Sequence, residues 1–268
     1  MNKIAFLFLI YDILNHENIW FKFFNGISKN KYNIYIHYKT NYNLEFFNDY
    51  KISKNINTKY ADISIVKAQN ILIKEALKDK NNKHFIFLSG SCIPLKSFNY
   101  IYNYLDTKYS YFHIADPEDC FPDCEVALKY IPKKYINKAS QWCILNRPHS
   151  EILINGATNY LLWFKDTYAP DELCYISYLS YIYNNSLDKE IIFTSYLSPP
   201  EVATTFANWE DMNYKYVSER ELKNYKNISE EELEHLLRSN SLFGRKFKPS
   251  CYYSLNKRFY YNAITDKK

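Results

Sequence analysis

Pro170-Asp171-Glu172 sets two carboxylates side by side at the predicted start of a helix that runs through Tyr181. Two readings fit the pair. Carboxylates in a first helical turn compensate the helix dipole. Alternatively, Glu172 is a general base with Asp171 capping and orienting the turn, and the helix terminus keeps the base ionised at neutral pH. Arg245 and Lys246, inside Leu242-Phe243-Gly244-Arg245-Lys246-Phe247, put a planar fork of donors beside a compact point charge. That combination suits a diphosphate, and equally a solvated surface pair. Ser89-Gly90-Ser91-Cys92 sits between the apolar run Phe85–Leu88 and Ile93-Pro94-Leu95. It reads as a plain strand-to-loop turn, or as a place where glycine and small side chains let a ligand approach the backbone.

Other polar groups point less clearly to chemistry. Asp116-Pro117-Glu118-Asp119 could gather a divalent ion, and reads equally well as a loop with a helix cap. Cys120 and Cys124 are spaced for a metal but have no matching second pair, so no zinc site is expected. His16, His37, His84, His113, His149 and His235 are scattered without ligand spacing, and no G-x-S-x-G elbow marks a nucleophilic serine.

These groups must be held by an ordered frame, and periodicity supplies one. Strand-type runs at Ile4–Ile10, Asn33–Tyr38, Phe85–Leu88 and Tyr111–Ile114 alternate with helical patterns. The helical patterns lie around Trp20, Phe23 and Phe24, around Ala68, Ile71, Leu72 and Ala76, and over Ser97–Leu105. This alternation predicts an α/β fold with a mainly parallel sheet flanked by helices, whose ligands bind beyond the carboxyl ends of the strands. Farther on, Gln141–Leu145 and Lys189–Tyr196 read as strands, and Arg147-Pro148 opens a helix. Ser198-Pro199-Pro200 reads as a loop, and Ser229 with Glu232 forms a capping-box pattern ahead of a helix through Leu237.

Composition narrows the function classes. Of 268 residues, 47% are hydrophobic, enough for a sizeable core, and neither a repeat nor a linker divides the chain. The net charge of +5 is spread evenly, without the dense basic block of a nucleic-acid arm. The apolar run at the start is too short to span a bilayer and lacks a cleavage site, so it reads as a first strand. Six cysteines without a secretory signal are expected to be free thiols.

Six stretches, in order, resemble one family. FLSGSCIPLKSFNYIYNYL at 87–105 resembles the core-2/I-branching glycosyltransferases and their plant relatives. The opening KIAFLFLIYDILNHENIWFKFF at 3–24 with YNIYIHYK at 32–39 is similar to that family's start, and KASQWCILNR at 138–147 to its G-S-Q-W strand. PDE at 170–172, TFANW at 205–209 and LFGRKF at 242–247 are similar to its P-D-E, tryptophan and L-F-A-R-K-F segments. The resemblance implies a GT-A type fold over one domain, 1–268. Within it, 1–125 would be a nucleotide-sugar half, 126–215 an acceptor half, and 216–268 a segment clamping the diphosphate. It implies an inverting enzyme that needs no divalent metal or other cofactor. A sugar, N-acetylglucosamine or xylose, would pass from a UDP-sugar to a hydroxyl of a glycan or glycoprotein.

By position in the motifs, Glu172 becomes the base and Arg245 with Lys246 the pair that stabilises departing UDP. Ser89, Gly90, Ser91, Cys92, Tyr11 and His37 fall on the donor side; Trp209, Gln141, Trp142 and Asp171 fall on the acceptor side. Two departures stand out: Gly244 replaces an alanine, and Lys138-Ala139 replaces the glycine that usually precedes Ser140. The family's membrane anchor and stem have no counterpart in the sequence. The expectation is therefore a soluble, cytosolic enzyme of viral or microbial kind, with neither nucleic acid nor a membrane span among its partners. The competing expectation is a catalytically silent relative that only binds glycan or nucleotide.

Overall fold

The computed structural model describes residues 2–115, 124–187, 191–195 (192–195 as backbone), 203–208 and 222–265. The strands are β1 (Lys3–Ile10), β2 (Tyr32–Tyr38), β3 (Asn82–Ser89), β4 (Ile93–Pro94), β5 (Ser110–Ile114), β6 (Ile144–Asn146), β7 (Ile191–Ser195), β8 (Thr205–Ala207) and β9 (Phe243–Arg245). The α-helices are α1 (Glu17–Phe24), α2 (Ile63–Leu77), α3 (Phe98–Tyr104), α4 (Arg147–Asn155), α5 (Ala157–Trp163), α6 (Cys174–Ile182), α7 (Glu230–Arg238), α8 (Tyr252–Leu255) and α9 (Arg258–Thr265). The main sheet has the order β2-β1-β3-β6-β5-β7. Its β2, β1, β3, β5 and β7 run in one direction and only β6 is reversed, as the pairings show. The fold is thus the α/β, mainly parallel sheet flanked by helices that the alternation predicted.

The sheet strands are apolar almost throughout because helices cover both faces. Alternation of side chains divides them between two layers. Ile4, Phe6, Phe8 and Ile10 of β1, with Ile86 and Leu88 of β3, join Trp20, Phe23 and Phe24 of α1. Ala5 and Leu7, with Phe85 and Phe87, join Leu72 and Ile73 of α2. Phe6 touches three phenylalanine rings at centroid distances of 5.0–6.2 Å, and truncating such a buried ring costs about 3–5 kcal/mol.

Local signals set several element ends. Asp62, Ser97, Asn146 and Ser229 cap α2, α3, α4 and α7 through side-chain oxygens that accept backbone N–H groups. The Arg147 guanidinium donates to the carbonyls of Leu77, Asp79 and Asn82, tying α4 to the end of α2.

Two expectations are corrected. The strand predicted over Gln141–Leu145 begins at Ile144; the backbone before it is used elsewhere, Ser140 N–H donating to His113 O and Ala115 N–H to Lys138 O. The turn at 170–172 is a separate 3₁₀ turn, and α6 starts only at Cys174. A second sheet, β4-β9-β8, was not predicted, because strands of two or three residues carry too little periodicity. It rests on a third apolar cluster that includes Ile93, Phe206, Leu233, Phe247 and Tyr260.

Candidate active site

The chain order of the sheet changes direction beside β1: β2 lies on one side and β3 on the other. Such a switch leaves a crevice at the carboxyl edge. The loops after β1 and β3 meet there, Asn15 N–H donating to Gly90 O at 2.8 Å. The second sheet attaches directly beyond the 89–92 loop, and its β9 delivers Arg245 to the same edge. Because β6 is reversed, the residues leading into it, 138–142, also arrive at this edge.

Arg245 is where these segments converge. Its guanidinium carbon lies 4.5 Å from the centroid of the Trp142 ring, and it interacts electrostatically with Cys92, Glu172, Asp171 and Tyr60. Its Nε is enclosed and has no hydrogen-bond partner among the described residues. Burial pulls the Arg245 and Lys246 pKa values down; for Lys246 the neighbouring Arg245 and Lys248 charges add to the effect. Two partly desolvated cations held this close together make a strong anion site, since attraction grows as water is excluded.

The carboxylates come from the 3₁₀ turn at Pro170–Glu172. Ala169, at φ 46°, and Ala61, at φ 52°, both occupy the left-handed region that disfavours a β-carbon. They are joined by a bond from Ala169 N–H to Ala61 O, while Ala139 N–H donates to Glu172 O. The turn is therefore pinned from two sides. Lys138 Nζ lies 3.5 Å from Glu172 Oε2. Burial raises the Glu172 pKa, and the Lys138 and Arg245 charges offset part of the rise. Asp171 is pushed up to about 7, first by burial and then by the neighbouring Glu172 charge. Its Oδ1 is enclosed and has no hydrogen-bond partner among the described residues. The expected role of a helix terminus in keeping the base ionised is thus corrected: the helix begins past the carboxylates, and cationic side chains supply the compensating charge.

The other predicted residues separate into contacts and supports. Ser89, Ser91 and Cys92 are buried, and they satisfy one another. Ser89 Oγ lies 3.0 Å from Ser91 Oγ and 3.2 Å from Cys92 Sγ. Trp20 Nε1 donates to Cys92 O, and Phe247 N–H to Ser91 O. A β-carbon on Gly90 would meet Ile13 O at 2.5 Å. The small residues therefore admit neighbouring backbone, rather than presenting hydroxyls to a ligand. His37 is fully buried, lowered to about 4 by desolvation, and its Nε2 accepts the Ile56 N–H. It positions the 52–56 loop and has no surface with which to touch a donor. Tyr11 is 63% exposed, with Lys39 Nζ 4.9 Å from its ring centroid.

On the acceptor side, Trp142 is only 7% exposed and Arg245 sits on its ring, so its place is under the cation rather than against a sugar. Gln141 is half-buried beside it. Trp209, the Asp116–Asp119 stretch and Cys120 lie outside the described residues. Among the described residues, no three His, Cys, Asp or Glu side chains converge as metal ligands, and Cys92, Cys124, Cys143, Cys174 and Cys251 form no disulfide. Sequence reading missed the place of Lys138 beside Glu172. A lysine before Ala-Ser-Gln-Trp reads as a motif departure, with no local signal that it would face a carboxylate.

The chain matches the family of core-2/I-branching enzymes over residues 4–237. It is 30% identical over 166 residues to the rice protein (Oryza sativa subsp. japonica) named glycosyltransferase BC10, covering 57% of this chain and 40% of that relative's length. Among solved structures it overlaps the galactosyltransferase LgtC bound to donor and acceptor sugar analogues, at 7% identity and a TM-score of 0.40, covering 70% of this chain and 73% of that one. An active-site mutant of LgtC overlaps at 8% identity and a TM-score of 0.40, covering 70% and 72%. Among the described residues, no helix is long and apolar enough to cross a membrane.

Proposed function

The chain belongs to the core-2/I-branching enzyme family, and on that premise we propose that it is an inverting, metal-independent glycosyltransferase. It moves a sugar, N-acetylglucosamine or xylose, from a UDP-sugar to a hydroxyl of a glycan or glycoprotein, on a GT-A type frame. The observation that carries this reading is the meeting of Glu172 and Arg245, remote in sequence, at the carboxyl edge of the sheet.

The acceptor hydroxyl gives its proton to a Glu172 carboxylate oxygen as its own oxygen bonds to the anomeric carbon. The bond from that carbon to the β-phosphate oxygen breaks on the opposite face, and its electron pair leaves with UDP. Arg245 and Lys246 carry the charge that develops there, in a site already ordered before reaction. Losing one such donor costs about 2.7–4 kcal/mol of transition-state stabilisation. A base with a raised pKa accepts a proton more readily, and the Lys138 charge 3.5 Å away favours its ionised form.

The test is calorimetric UDP binding together with UDP release from a panel of UDP-sugars, in EDTA. Binding and turnover of one donor in EDTA are expected, with Glu172→Gln abolishing transfer and leaving UDP affinity nearly intact. Full activity in that variant, or binding that requires Mn²⁺, refutes the mechanism.

A further inference from the structure

A groove of 500 Å³ lies between α1 and α9, lined by none of the residues assigned above. Asn18, Phe21 and Asn25 follow one another at helical spacings of three and four, so they share a face at one wall. Asn262 and Thr265 of α9 line the other wall. Phe46, from the loop after β2, closes one end with its ring stacked on Phe21 at 4.4 Å and 27°. Phe21 remains 46% exposed, so the pair offers an apolar platform to whatever enters.

The three asparagine side chains around that platform are unpaired among the described residues. Among the described residues, the carboxamides of Asn18, Asn25 and Asn262 make no hydrogen bond, although each carries two donors and an acceptor. The Thr265 hydroxyl donates to Tyr261 O and keeps its lone pairs. No carboxylate lines the groove, and its one cation, Lys22, is turned onto the Tyr261 ring at 3.5 Å. An anion would therefore find its counter-charge engaged, and a cation would find none. A purely apolar ligand would strip water from three amides without replacing it. A ligand with a flat C–H face edged by hydroxyls satisfies both parts of the lining.

We propose that the α1–α9 groove is a second saccharide-binding site, taking a neutral pyranose or a short chain of them. The Phe21–Phe46 pair supports the C–H face, and Asn18, Asn25 and Asn262 bind the hydroxyls. Its use as an anchor for a glycan acceptor rests on the transferase reading; binding itself does not.

The experiment is saturation-transfer NMR on the full chain with lactose, cellobiose and N,N′-diacetylchitobiose as probes, each titrated for affinity. Saturation of ring C–H protons is expected for at least one probe, unchanged in Glu172→Gln. Phe21→Ala and Asn262→Ala should each weaken it by at least about fivefold, and Phe21→Tyr should retain it. Both altered residues are exposed, and unchanged melting and UDP affinity verify that each variant is folded. Absence of binding by all three probes overturns the proposal, as does binding that survives Phe21→Ala and Asn262→Ala. If UDP-sugar transfer fails while groove binding behaves as expected, the transferase reading falls and this one stands. Transfer without groove binding separates them the other way.

Discussion

Trp142 is the most informative residue to replace, because the structure gives it a role different from the one its motif implied. Its ring is almost wholly buried, and the Arg245 guanidinium carbon sits 4.5 Å from the ring centroid. A desolvated cation–π contact of this kind is worth about 2 kcal/mol. If that energy holds Arg245 in position for a diphosphate, Trp142→Leu should weaken UDP binding about 30-fold. The substitution also opens a cavity in the core, which costs stability on its own account. A double-mutant cycle separates the two effects. With Arg245→Ala already in place, Trp142→Leu should lower the melting temperature as before but change the UDP Kd very little, leaving a coupling of about 2 kcal/mol. Calorimetric titration of UDP into the four proteins, well below their melting temperatures, measures it. Equal Kd shifts in both backgrounds, or no shift in either, would refute the positioning role and leave Trp142 as core packing alone.

Other consequences are open to direct measurement. Replacing Lys138 with Met removes the cation beside Glu172. The Glu172 pKa should rise further, so the acid limb of the kcat/KM profile for UDP-sugar should move to higher pH. Asp171 is raised from 3.8 to about 7 in the fold, so the folded state holds its proton where the unfolded chain has released it. Its contribution is therefore full below about pH 4 and is lost as pH rises through 7, by at most about 4 kcal/mol. Asp171→Asn should flatten that decline, and should stabilise the protein most at pH 8 in urea titrations. Gly90→Ala forces a β-carbon to within 2.5 Å of Ile13 O. The backbone of the first loop must shift, costing about 1–3 kcal/mol in denaturant unfolding, with weaker UDP binding as the second readout.

Much of the frame was legible because its signals are local. The continuous apolar runs of β1 and β3, the helical spacing in α2 and the capping Ser97 and Ser229 each act within a few residues. Composition and periodicity therefore expose them. The second sheet was hidden for the opposite reason: β4, β8 and β9 are each too short to show a period, and they exist because β9 pairs with both partners across the chain. The candidate site was legible only as separate motifs. The resemblance put Glu172 and Arg245 in one reaction, while the burial around each, the Lys138 beside Glu172 and the Trp142 ring under Arg245 were not legible. His37 and Trp142 stood in the right motifs, but burial turned each from a ligand contact into a support.

The sequence alone determined the α/β class, the direction of most of the sheet, the family and the residues able to carry acid–base and anion chemistry. Tertiary structure decided which of those residues face one another and in what dielectric. It placed Lys138 beside Glu172, set Arg245 on Trp142 and filled the small-residue loop with neighbouring backbone. The physical reason is range. Helix and strand preferences are set within a few residues, whereas a pKa depends on charge and burial contributed by segments remote in sequence. Those come together only when the sheet brings its strand ends to one edge.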